Sequence, residues 1–140
     1  VGSQPVFGGP VLASLLTEVV SAINKGTPNL QPSSMMESVH QQLAEAAFSN
    51  GTQSFMTSTA GLDGTIDMSK ASMSSFLDRQ TSATMEAFDK TTRCLGENMV
   101  RNARGRLAQA ISVRVETLAA RQQAQIAEAL ANIDRLVNGA

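Results

Sequence analysis

Few side chains in this sequence are of the types that carry out chemistry. Among 140 residues there is one cysteine, Cys94, and one histidine, His40. A nucleophilic site needs a nucleophile, a base and an orienting group within reach of one another, and one Cys with one His does not assemble a Ser/His/acid or Cys/His set. With no second His or Cys nearby, neither residue starts a metal site. Asp63 and Asp67 are the clearest pair of carboxylates. They flank a loop and a helix start, where acids are expected for structural reasons, and a general acid/base pair would also need a pocket. No G-x-x-x-x-G-K-[ST] phosphate loop and no G-x-G-x-x-G after a strand occurs. No catalytic, cofactor-binding or metal-ligating residue is therefore expected in this segment, and the segment is read as non-enzymatic.

The one cluster with a functional look is basic. From Val1 to Asp89 there are three Lys/Arg and eight Asp/Glu, whereas from Lys90 to Arg121 there are seven Lys/Arg and two acids, Glu97 and Glu116. Arg101, Arg104, Arg106, Arg114 and Arg121 form the candidate basic surface, with Glu97 placed to pair with Arg101 one turn away. One reading is a surface for anionic lipid or an acidic protein face. The other is a solvated helix face, or contact with the acidic first half of the chain, and charge runs favour this second reading. Aromatic interleaving and nucleic-acid motifs are missing, so nucleic acid is not an expected partner.

The elements that must position these residues are helices. Five Phe, no Trp and no Tyr leave little material for a sheet, while Ala, Leu, Met, Gln, Glu and Arg, all helix formers, dominate the second half. The length allows one domain with a core. Seven Met read as adaptable core filling, with a Met-rich binding groove as the sharper alternative. Cys94 reads as a buried small hydrophobe rather than a reactive thiol or lipidation site. A single thiol suits a reducing compartment, hence a cytoplasmic setting. No apolar run approaches the roughly 20 residues of a membrane span. The start, Val1-Gly2-Ser3-Gln4-Pro5, lacks an initiator Met and a signal-peptide pattern, which reads as a piece of a longer chain.

The fold class expected is an all-α, elongated bundle of about four helices. Residues 1–9 are an extended or disordered lead-in, and residues 10–140 form a single helical domain with helices near 11–25, 35–58, 68–91 and 93–136. In the first, Leu12, Leu15, Leu16, Val19, Val20 and Ile23 share a face; Gly26 and Pro28 stop it. Ser34-Met35-Met36-Glu37 has the form of a capping box for the second. Met36, Val39, Leu43, Ala46 and Ala47 make its apolar face, extended by Phe48 and Phe55. Asn50-Gly51 reads either as a turn or as a tolerated defect in a continuous helix, and the periodicity favours the helix. Ala60 to Thr65 is a loop, after which Asp67 can cap the third helix, lined by Met73, Phe76, Leu77, Thr84, Ala87 and Phe88. In the last helix Gly96 and Gly105 each weaken the start by roughly 1 kcal/mol relative to Ala. Leu107, Ile111, Val115 and Leu118, then Ile126, Ala129, Ile133 and Leu136, approximate a heptad seam interrupted by Gln122. Such a helix either closes the bundle or projects as a coiled-coil-like stalk. The stretch beyond Ala120 has too little apolar surface to hold alone and needs a partner.

The run Leu15-Leu16-Thr17-Glu18-Val19-Val20-Ser21-Ala22-Ile23-Asn24-Lys25-Gly26-Thr27-Pro28 resembles the start of the helical domain in guanylate-binding proteins, large GTPases of the dynamin superfamily. There a Leu-rich helix ends in Ala-Ile-Asn-x-Gly followed by Pro. The stretch Ala83 to Phe88 is similar to the family's Glu-Ala-x-x-x-Phe-like segment. The resemblance covers roughly Val11 to Thr92. Val19 stands where the family often has an aromatic residue, and nothing from Gly96 onward is matched. The resemblance implies a parent protein that binds and hydrolyses GTP, with GTP and Mg expected only in its GTPase domain and no cofactor in this segment. It makes Ala22, Ile23, Asn24, Gly26 and Pro28 the candidate junction between that domain and the helices. The function implied is a non-catalytic lever and assembly domain, docking on its own GTPase domain and self-associating. The alternative is a stand-alone helical adaptor or homo-oligomeric stalk. A peripheral anionic membrane is a further expected partner, with membrane association through the parent protein.

Overall fold

The computed structural model describes residues 34–139. Within them the chain is all-α: α1 spans Ser34–Ser58, α2 spans Lys70–Thr91, and α3 spans Glu97–Val137. A single 3-10 turn, Ala60–Leu62, follows α1. The helix expected at 11–25 lies outside the described residues, as do Ala22, Ile23, Asn24, Gly26 and Pro28 of the candidate junction.

α1 runs unbroken through Asn50-Gly51. Gly51 has a packing reason to be there. A Cβ at this position would stand 2.9 Å from Leu107 Cδ2 and 3.1 Å from Cδ1, so the missing side chain lets α1 and α3 approach closely at the centre of the core. Leu43, Phe55, Leu107 and Leu118 are almost wholly excluded from water there. Glu45 meets Arg106 and Thr59 meets Arg114, so α1 and α3 run parallel. Asp89 meets Arg104, and Met68, just before α2, meets Gln122, so α2 runs antiparallel beside them.

Two helix starts differ from the sequence reading. α2 is capped by Ser69, not Asp67: Ser69 sits in extended backbone and its Oγ accepts a hydrogen bond from Ser72 N at 3.1 Å. A hydroxyl at this place satisfies a first-turn N–H directly. α3 begins at Glu97, not near Arg93, because Thr92 to Gly96 form a separate turn closed by Leu95 N donating to Thr92 O. Thr91 and Thr92 both return their hydroxyls to α2 carbonyls, which competes with helix continuation.

The 41-residue α3 outlasts the bundle. Its packed row runs through Ala103, Leu107, Ile111, Arg114, Leu118 and Gln122. Beyond that, Ile126, Leu130, Ile133, Leu136 and Val137 are exposed, so the last helix projects. No helix among the described residues is long and apolar enough to cross a membrane.

Candidate functional site

The structure divides the five arginines of the expected basic surface among four different environments. Arg101 is exposed and reaches Glu97 at 3.3 Å. Arg104 engages Asp89 with two donors, Nε at 2.9 Å and Nη2 at 3.2 Å, and this carboxylate pushes its pKa above the usual arginine range. Arg106 crosses to Glu45 on α1 and also lies over the Phe48 ring, 4.3 Å from its centroid. That places a cation on the negative face of an aromatic ring.

Arg114 corrects the surface reading. Only 7% of its side chain is exposed, because it occupies the packed row of α3 between Ile111 and Leu118. Its Nε donates to Thr59 Oγ1 at 3.0 Å, its Nη2 to the Thr59 carbonyl at 3.0 Å, and its Nη1 to Asp63 Oδ1 at 2.7 Å. Arg121 donates to the same carboxylate oxygen at 3.0 Å. Asp63 is thus held between two guanidiniums. The hydrogen bond from Arg114, and after it the one from Arg121, keeps its carboxyl below the usual range against an opposing push from desolvation. A carboxylate held ionised in this way cannot serve as a general acid near neutral pH. The residues that bracket Asp63 and Asp67 belong to a structural clamp on the 59–68 connection.

Two glutamines complete the clamp. Gln125 Oε1 accepts from Ile66 N at 2.9 Å and its Nε2 donates to Gly64 O at 3.2 Å. Gln122, the residue that interrupts the apolar seam, is buried, and its Nε2 donates to Met68 O at 2.6 Å. The connection has no ladder partner of its own, and these amides pair its backbone groups at Gly64, Ile66 and Met68. Sequence reasoning missed Arg114 and the two glutamines as a unit. The signal was present: Arg114 and Gln122 fall on the same helical row as Leu107, Ile111 and Leu118, where a polar side chain must find a partner.

His40 and Cys94 are half-buried. Burial pushes the His40 pKa down and the Cys94 thiol up, which favours the neutral form of both. His40 Nε2 is buried without a hydrogen-bond partner. No group of three metal-ligating side chains occurs among the described residues. An open groove of about 520 Å³ lies along α1, lined by Phe48, Thr52, Met56 and Asp63 among others. A second, of about 220 Å³, lies between α1 and α2 beside Gly51, Ser54, Thr84 and Phe88. Asp63 is the one carboxylate on the first groove, and it is already bound to Arg114 and Arg121.

Compared with family models, with curated proteins and with solved structures, the chain matches none.

Proposed function

We propose that this chain is a helical lever and assembly module, the non-catalytic arm of a larger GTPase similar to guanylate-binding proteins. The observation that carries the lever and assembly reading is the division of α3 into two parts. Its first part is locked to α1 and to the 59–68 connection, and its end projects with an apolar stripe in water. A rigid body with a protruding apolar helix is suited to transmit position and to gather partners. The GTPase half of the proposal is supported by the likeness of Leu15 to Pro28 to the junction of that family. The nucleotide chemistry would then reside in a domain before Val1, and docking on that domain would involve the surroundings of Ala22 to Pro28.

The test is the intact mass and upstream sequence of the native protein, measured from its source. A phosphate-binding loop upstream of Val1 is the expected result. A native chain with no GTPase domain would overturn the GTPase half and leave a helical adaptor or stalk, the second reading, which the exposed end of α3 favours by itself.

Binding to a peripheral anionic membrane is a lesser part of the proposal. Arg101, Arg104 and Arg106 are exposed but each is matched by an acid. Vesicles rich in anionic lipid should therefore retain the chain only weakly at low salt and release it at physiological ionic strength.

A further inference from the structure

The projecting end of α3 carries an apolar face that nothing in the bundle covers. Ile126 is 42% exposed, Leu130 61%, Ile133 53%, Leu136 82% and Val137 74%. Ile126, Ala129, Ile133 and Leu136 recur at spacings of three and four, which is the spacing of a two-helix seam. Leu130 and Val137 widen the same face. At 100° per residue Glu128 and Arg135 fall on the back of the helix and Asp134 on its flank beside Leu130, so no ionised side chain stands at the centre of the seam.

We infer that this face pairs with the same face of a second copy of the chain, antiparallel, through residues 126–137. Area supports a copy as the occupant. Each stripe exposes on the order of 600 Å² of apolar surface, at the top of what a monomer leaves bare. Complete closure of two such stripes would remove on the order of 1,200 Å², the lower bound of specific stable interfaces.

Direction follows from the bundle. α3 is flanked by its own chain as far as Gln125, which holds Gly64 and Ile66. Parallel pairing would drive two bundles into the same space at the base of the tail. Antiparallel pairing sets each bundle beyond the other's Val137. In the register centred on Ala131, Ile126 of one copy faces Leu136 of the other, and Ala129 faces Ile133, small against large.

The inference rests on the assembly half of the proposed function. A native chain without a GTPase domain would leave the pairing standing, whereas a chain that stays monomeric would leave the GTPase half standing. The experiment is sedimentation equilibrium of the full chain from low to high micromolar concentration. The mass is expected to rise to that of two chains. Ile133→Glu should weaken association at least about a hundredfold with unchanged helical circular dichroism, and Glu128→Lys, on the back of the helix, should leave it unaltered. In a Cys94→Ser background, Ile126→Cys mixed with Leu136→Cys should give a heterodimeric disulfide, and Ile126→Cys alone should give none. A monomer at every concentration, a mass above two chains, association untouched by Ile133→Glu, or an Ile126→Cys self-disulfide would each overturn the inference.

Discussion

Arg114 Nη1 stands 2.7 Å from Asp63 Oδ1, and Arg121, two turns farther along α3, donates to the same oxygen at 3.0 Å. The two arginines differ in what else they do. Arg114 is buried and also satisfies the hydroxyl and carbonyl of Thr59, whereas the Arg121 side chain is 45% exposed. Arg114→Ala should therefore destabilise the chain by about 2–3 kcal/mol, since it opens a cavity and strips Thr59 of its donors. Arg121→Ala should cost less than about 0.5 kcal/mol, as exposed pairs do. Urea denaturation of the two variants checks the difference.

The same carboxylate predicts a pH dependence. The folded-state pKa of Asp63 lies below its ordinary value of 3.8, chiefly through the Arg114 hydrogen bond. Its pairing thus adds stability that is fully present above the unfolded value and is lost as pH falls through the folded one. The stability gap between the native chain and Asp63→Asn should be constant from neutral pH down to about pH 5. It should close below pH 4, measured by denaturation at each pH. A gap that does not narrow between pH 5 and pH 2 would contradict the assignment.

Gly51 and Leu107 offer a test of packing. A branched side chain at 51 must displace Leu107, which is fully buried. Gly51→Val should cost about 2–3 kcal/mol by overpacking. Combining it with Leu107→Ala, which opens space at the same spot, should give a favourable coupling of more than about 1 kcal/mol in a double-mutant cycle. Additive losses would mean that the two positions do not meet.

Gln125 should govern the 64–68 connection locally. Its Oε1 is the acceptor for the Ile66 amide. In Gln125→Ala that amide should lose hydrogen-exchange protection while those of Leu107 and Leu118 keep theirs. The cost to global stability should be about 1 kcal/mol, the usual worth of a hydrogen bond.

The helices and their apolar rows were legible in the sequence because periodicity reports burial directly. Leu43, Phe55, Met73, Leu77, Phe88, Leu107, Ile111 and Leu118 all lie in the core where their spacing put them. The start of α2 was less legible, since Asp67 and Ser69 are both acceptable caps and only the local backbone chooses between them. The clamp was hidden for a different reason. Arg114, Asp63, Thr59 and Gln125 are far apart in the chain, and a charged residue in a buried row announces that a partner exists without naming it. The charge asymmetry between the basic run Lys90 to Arg121 and the acidic first half pointed to contact between them without naming the pairs. Folding matched Arg104, Arg106 and Arg114 to Asp89, Glu45 and Asp63.

The parallel course of α1 and α3 also fixes how the body responds to force. Ser34 and Val137 lie at opposite ends, about 70 Å apart along the axis. A pull applied between them loads the contact between the two helices lengthwise. Gly51 against Leu107, Arg106 against Glu45 and Arg114 against Thr59 are then strained together, not peeled apart one after another. A body loaded in shear yields late and all at once. That is stiffness obtained from chain direction alone.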